Sequence, residues 1–150
     1  MKKKVVVAFS GGLDTSYCVK YLNEDRGFEV HTITVNTGGF DTEEVKAIEQ
    51  RAKNLGVASH KTVDETKNYY DKVIRYLIYG NVLKNNTYPL SVSAERMSQA
   101  LATANYAKTL NADAVAHGST GAGNDQVRFD MIFHVLIPGV EIITDRKSVV

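Results

Sequence analysis

A chain of 150 residues with 43% hydrophobic and 23% charged residues has the size and make-up of one globular domain. Its formal net charge of +1 supplies no global field for nucleic acid or a membrane surface, so neither is expected as a partner. The single cysteine, Cys18, cannot close an intramolecular disulfide and gives no sign of an oxidising compartment.

The start, Met1-Lys2-Lys3-Lys4, carries the charge of a signal n-region, but only Val5 to Phe9 follow as an apolar run. That is too short for a secretory signal or a membrane span, and a cytoplasmic location is expected. Lys4 to Phe9 is β-branched, the pattern of a buried parallel strand. A helix from about Leu13 to Glu24 follows, with Gly27 just beyond it. Cys18, among Tyr17, Val19 and Tyr21, reads as a packed thiol on that helix. Phe28 to Val35 is the second strand.

Asp41-Thr42-Glu43-Glu44 predicts a capping box opening a helix that buries Val45, Ile48, Ala52 and Leu55 and stops at Gly56. Val57 to Val63 is a third, more polar strand, expected nearer an edge. Tyr70, Val73, Ile74, Leu77 and Ile78 predict one apolar helix face ending at Gly80. Asn81 to Leu90 reads as a loop. A helix from about Ser93 is expected to carry Met97, Ala100, Leu101, Ala104 and Ala107 on one side. Ala112 to His117 is the fourth strand, and a glycine-rich connection leads to a helix from about Gln126. Pro138-Gly139 turns into a last strand from Val140 to Thr144.

Alternating strands and helices predict an α/β fold, a doubly wound parallel five-stranded sheet with right-handed crossovers. In the order 3-2-1-4-5, the loops after the first and fourth strands face each other at the reversal point, where such sheets bind ligands.

The first of those loops is Ser10-Gly11-Gly12-Leu13-Asp14-Thr15-Ser16. Its glycines permit close backbone approach, and the helix start behind it aims amides and partial positive charge at an anion. The hydroxyls of Ser10, Thr15 and Ser16 add neutral donors, while Asp14 suits a bridge through Mg²⁺ or hydrogen bonds that hold the loop. A plain glycine turn with Asp or Thr as N-cap is the bland alternative. Neither G-x-x-x-x-G-K-[ST] nor G-x-G-x-x-G is present.

This loop resembles the pyrophosphate-binding motif of the N-type ATP pyrophosphatases, which implies an adenine nucleotide α hydrolase-like fold. The second loop narrows the choice. Ala116-His117-Gly118-Ser119-Thr120-Gly121-Ala122-Gly123-Asn124-Asp125-Gln126-Val127-Arg128-Phe129 is similar to the signature of the argininosuccinate synthase family over its whole length. Tyr88-Pro89-Leu90 and the stretch from Ala8 to Ser16 resemble the same family in the same order.

The resemblance implies a cytoplasmic, ATP-dependent ligase of arginine biosynthesis and the urea cycle. Citrulline is adenylated and pyrophosphate released, then aspartate displaces AMP to form argininosuccinate. ATP is a substrate, accompanied by Mg²⁺. The implied ATP contacts are Ala8, Phe9, Ser10, Gly11, Gly12, Leu13, Asp14, Thr15, Ser16, Val35 and Gly118. Tyr88, Ser93, Asn124 and Arg128 are implied for citrulline, and Thr120, Asn124 and Asp125 for aspartate. No residue is implied as a nucleophile, because alignment of ligands carries the chemistry.

Structural alternatives stand beside these roles. Arg128 can pair with Asp125 or Asp130 on a helix surface, Tyr88 can plug a sheet edge, and Ser93 can be an N-cap. His117 is not read as a general base, and His31, His60 and His134 lack metal-ligand spacing. Three departures from the family pattern bear on the site: Ala122 where a lysine is usual, Asn36-Thr37-Gly38-Gly39 after the second strand, and Ser93-Ala94-Glu95-Arg96 at a helix start. Family members continue into a synthetase domain and assemble as homotetramers. Residues 1–150 are therefore expected to be the ATP-binding domain alone, binding ATP with poor synthesis. Another adenylating enzyme of the superfamily and a non-catalytic nucleotide-binding module are the alternatives.

Overall fold

The computed structural model describes residues 2–119 and 123–144. Strand β1 (Lys4–Ala8) is the centre of the sheet because Val5, Val6 and Val7 have no exposed surface and are covered on both faces. It pairs in parallel with β2 (Glu29–Asn36) on one side and β6 (Ala114–His117) on the other. The edges are β3 (Ser59–Asp64), beside β2, and β7 (Glu141–Thr144), beside β6. The order β3-β2-β1-β6-β7 is the expected reversal, with the fourth and fifth sheet strands numbered β6 and β7.

Alternation along the strands divides the core. Val5, Val7 and Phe9 pack with Val19 and Leu22 of α1 (Leu13–Glu24) and Ile48 and Ala52 of α2 (Thr42–Asn54). Val6, Ile33, Val35 and Val115 meet α5 (Ser91–Leu110) and α6 (Asn124–Leu136) on the other face. Cys18 is buried on α1. The capping box forms as read: the Asp41 carboxylate accepts from the amides of Glu43 and Glu44, and Glu44 returns a bond to the Asp41 amide.

The structure revises three local readings. The stretch expected as one amphipathic helix is α3 (Thr66–Tyr69), a π-helical turn (Tyr70–Ile74) and α4 (Arg75–Tyr79). The wider turn rotates the apolar stripe, so Tyr69 is buried while Tyr70 and Ile78 are exposed. The loop expected over Asn81 to Leu90 contains a hairpin of β4 (Leu83–Lys84) and β5 (Tyr88–Pro89). Asn85 and Asn86 have φ of 55° and 57°, two left-handed residues in the connection between the strands, and the Thr87 amide closes the turn on the Lys84 carbonyl at 3.2 Å. Helix α5 begins at Ser91 with Leu90 as N-cap, so Ser93 lies inside the first turn and caps nothing. Its buried stripe is Ala100, Thr103, Ala104 and Ala107, with Met97 and Leu101 exposed at the margins. Small side chains on that stripe let the helix lie close over the sheet.

Candidate functional site

The chain passes from β3, at one edge, back over the sheet through α5 to β6, beside β1. The turns that leave β1 and β6 therefore emerge side by side. They open into a cleft of about 900 Å³.

In the first turn Gly11 has φ +75°, and a Cβ there would lie 3.0 Å from Ile48 Cγ1 and 3.2 Å from Arg51 Nη1. Only glycine meets both demands. Arg51, from α2, also donates to the Gly11 carbonyl. The Ser10 hydroxyl accepts from the Gly12 amide at 3.3 Å and lies 3.2 Å from the Thr15 hydroxyl, which donates to the Gly12 carbonyl at 3.3 Å. These hydroxyls hold the turn in shape. Gly12, in extended conformation, is the N-cap of α1 and gives the first-turn amides no side-chain acceptor. Helix α6 starts in the same way on Gly123, again with no side-chain cap. Two helices thus bring uncapped N-termini to one cleft, whereas α2, elsewhere, is capped by its own Asp41.

The turns touch at Gly118. A Cβ on it would stand 3.0 Å from Thr15 Cγ2, so the absent side chain makes room for the start of α1. His117 fixes the second turn from below. Its ring is 1% exposed, stacks 4.8 Å from Phe129, accepts the Ser119 amide at Nδ1 (3.3 Å) and faces Asp130 through Nε2 (3.3 Å). Burial lowers its pKa, opposed by Asp130, so the imidazole is a neutral strut.

Of the residues expected to hold ATP, Ala8, Phe9, Ser10, Gly12, Leu13, Asp14, Thr15, Val35 and Gly118 line the cleft. Gly11 and Ser16 are not in that lining: Gly11 faces α2, and the Ser16 amide bonds the Gly12 carbonyl. Tyr88, Ser93, Asn124, Asp125 and Arg128 line the same cleft, Tyr88 because the hairpin carries it there. Thr120 and Ala122 lie outside the described residues.

Arg128 does pair with Asp125, at 2.7 Å, and it does so inside the cleft. The other carboxylate oxygen takes Arg96 Nε at 3.2 Å, so one acid sits between two guanidiniums. The departure after β2 also acquires a structure. Asn36 Oδ1 accepts the amides of Gly38 (2.9 Å) and Phe40 (3.3 Å), and its Nδ2 donates to the Phe40 carbonyl at 2.9 Å. That turn puts Phe40 in the lining of the cleft.

Sequence reasoning missed Lys84 and Phe40, and named Glu95 and Arg96 only within a departure at a helix start, not as site residues. Helical spacing from Ser93 signals Arg96, three residues on along the same face. Lys84 needed the hairpin, and Phe40 the Asn36 turn.

Among the described residues, no helix is long and apolar enough to cross a membrane. Similarity to known proteins agrees with the geometry. Residues 4–149 match the arginosuccinate synthase N-terminal HUP domain family. An argininosuccinate synthase of Xylella fastidiosa is 49% identical over 129 residues, covering 86% of this chain and 32% of the relative. Those of Prochlorococcus marinus and Pyrobaculum aerophilum are 44% and 42% identical over 147 and 144 residues, 97% and 96% of this chain and 36% of each relative. The chain thus spans about a third of the length of these relatives. Two solved structures share the fold at low identity. One is a predicted subunit of tRNA methyltransferase from Methanocaldococcus jannaschii (TM-score 0.66, 21% identity, 99% of this chain and 70% of that one). The other is an NMN synthetase from Francisella tularensis (0.59, 14%, 77% and 44%). With nearly its whole length matched to that one domain, and its signature loops meeting in one cleft, the chain belongs to the argininosuccinate synthase family.

Proposed function

We propose that this chain is the ATP-binding domain of a ligase that joins citrulline and aspartate into argininosuccinate through a citrulline-adenylate. The observation that carries the reading is the single cleft. Two glycine-capped helix starts lie on it, beside an acid flanked by two guanidiniums.

The β- and γ-phosphates of ATP lie against the first-turn amides of α1, at Leu13, Asp14 and Thr15. Each anionic oxygen near a helix start gains about 0.3–1 kcal/mol. Phe9, Val35 and Phe40 give adenine an apolar wall. Asp14, an exposed carboxylate on the first turn of α1, is the oxygen donor that would hold Mg²⁺. When bound, the metal supplies positive charge at the phosphates.

Citrulline takes Tyr88, Ser93, Asn124 and Arg128, its α-carboxylate on the guanidinium of Arg128. Aspartate takes Thr120, Asn124 and Asp125, its ammonium on the Asp125 carboxylate. The ureido oxygen of citrulline attacks the α-phosphorus, the bond from that phosphorus to the bridging oxygen breaks, and pyrophosphate leaves. The aspartate amine then adds to the activated ureido carbon, AMP departs, and the new C–N nitrogen loses a proton. No side chain forms a covalent bond. The site contributes alignment, which is worth ~7–11 kcal/mol of barrier in well-oriented reactions.

On this reading a companion synthetase domain and the contacts of a homotetramer belong to the length of the relatives that this chain does not span, so the 150-residue chain by itself binds ATP and turns over poorly. Calorimetry with Mg²⁺ and ATP, citrulline and aspartate, singly and combined, tests this. ATP is expected to bind, and each amino acid to bind more tightly once it has. ATP binding with indifference to both amino acids would leave only a nucleotide-binding module. Robust synthesis by the isolated chain would overturn the division of labour.

A further inference from the structure

Two segments that depart from the family pattern, Asn36-Thr37-Gly38-Gly39 and Ser93-Ala94-Glu95-Arg96, are far apart in sequence and touch in space. Thr37 Oγ1 donates to Glu95 Oε1 at 2.8 Å. The same carboxylate oxygen accepts Gln99 Nε2 at 3.3 Å. Gln99 Oε1 accepts Arg96 Nη1 at 3.0 Å, Arg96 Nε donates to Asp125 at 3.2 Å, and Asp125 accepts Arg128 at 2.7 Å. An unbroken row of hydrogen bonds therefore runs along the α5 side of the cleft, from the turn after β2 to the first turns of α6.

We infer that Glu95 is a positioning residue that ties the nucleotide side of this cleft to its amino-acid side through Gln99 and Arg96. The inference rests on the proposed function for the naming of those two sides. The ends of the row fit it. Thr37 is two residues beyond Val35, which lines the cleft on the proposed adenine side, and Asp125 and Arg128 are the charged groups set to meet the amino acids.

The middle of the row needs an acceptor at position 95, where one oxygen takes both Thr37 and Gln99. Gln99 can present either its NH₂ or its oxygen to Glu95, and a carboxylate accepts only the NH₂. That choice leaves the Gln99 oxygen facing Arg96, which fixes the guanidinium plane so that Nε points at Asp125. The donor-only guanidinium of Arg96 enforces the same sense from the other side, so an amide oxygen at position 95 would keep the row, whereas alanine there removes the acceptor that Thr37 and Gln99 share. Glu95, Arg96 and Gln99 are all half-buried, where such a row is stiffer than it would be in water. The neighbouring Tyr69 does not compete for Glu95. Burial and the Glu95 charge both raise its phenol pKa, and its hydroxyl donates to the Ser91 carbonyl instead.

The test is ¹⁵N–¹H NMR of the 150-residue chain without ligand. Asp125→Asn is expected to shift the Arg96 Nε–H signal and, through the row, the Thr37 amide. Combined with Glu95→Ala, or with Gln99→Leu, the Thr37 response should fall to under a fifth while Arg96 still responds, because its contact with position 125 is direct. Two cuts of the same row keep the test intact if one variant fails to fold, and urea unfolding of each checks this. A Thr37 response equally large in both backgrounds, or absent in the parent chain, overturns the inference. Adding Mg²⁺ and ATP should then move Arg96 Nε–H in the parent and leave it in place in Glu95→Ala. If ATP moves no signal of the parent chain, the nucleotide reading falls and the positioning role with it. The ligand-free arm still reports whether the link exists.

Discussion

Alanine at position 11 should be costly for two separable reasons. Gly11 has φ +75°, and the new Cβ would lie 3.0 Å from Ile48 Cγ1 and 3.2 Å from Arg51 Nη1. A left-handed alanine costs ~1–2 kcal/mol. Overpacking against Ile48 and Arg51 adds ~1–3 kcal/mol. Stiffening of the unfolded chain returns ~0.4–1 kcal/mol. The expected loss is roughly 2–4 kcal/mol, or a fall of roughly 5–15 °C in Tm for a domain of this size. Gly27 supplies the control, since it has φ +67° and nothing within 4 Å of its Cβ position. Gly27→Ala should therefore lose only about 1 kcal/mol. Urea unfolding, compared by midpoint at constant slope, reads both. Adding Ile48→Ala to Gly11→Ala should recover part of the packing cost, as a coupling of about 1 kcal/mol in the double-mutant cycle. If Gly11→Ala and Gly27→Ala lose the same stability, and Ile48→Ala adds its full cost on top, then α2 is not what excludes a side chain from the loop.

Asp41→Ala removes the acceptor of two 2.8 Å amide bonds at the start of α2. It should cost about 1 kcal/mol, and not more than about 2 kcal/mol, by thermal or urea unfolding. Acid should weaken the fold through one buried and one half-buried imidazole. Burial lowers the pKa of His117 and of His60 from the usual 6.5, with Asp130 and Glu49 respectively opposing it. The unfolded chain binds those protons near pH 6.5 and the folded chain only at lower pH, so their stabilising contribution is whole above pH 6.5 and is lost as pH falls below it. Urea midpoints should therefore drop between pH 7.5 and pH 5.5, and His60→Gln should make that drop smaller.

The fold was legible wherever side-chain pattern and local chemistry agree. The Val5–Val7 run, the Asp41–Glu44 box and the polar third strand each name their element without tertiary help, and the sheet order follows from their alternation with helices. The two site loops were legible because glycine pattern and position after a strand carry the signal. What was missed depends on backbone geometry at single residues. Periodicity does not foresee a π-helical turn at Tyr70, because an extra residue in one turn leaves the apolar count unchanged. Asn85-Asn86 is a usable hairpin signal, but the strands around it are two residues each and show no alternation. Without that hairpin, Lys84 has no reason to be placed in the lining of the cleft. Asn36 is a turn former by composition, and only its bonds to Gly38 and Phe40 reveal that it brings a ring into the cleft.

The charges of the cleft decide how a polyanion can be held there. Lys84, Arg96 and Arg128 line it, and so do Asp14, Glu95 and Asp125, so the side chains balance and offer no net field to ATP. Arg96 and Arg128 are moreover already paired with Asp125. Attraction must then come from short-range sources, namely the amides at the start of α1 and a cation brought by the nucleotide. A basic pocket would behave differently, because net positive charge attracts over a Debye length and weakens as salt shortens it from about 10 Å to about 3 Å. ATP binding to this chain should accordingly need Mg²⁺ and depend little on ionic strength. Fluorescence titration at low and high salt, with Mg²⁺ and with chelator, separates the cases. Binding that survives chelation and fades steeply with salt would mean that side-chain charge, not helix amides, holds the phosphates.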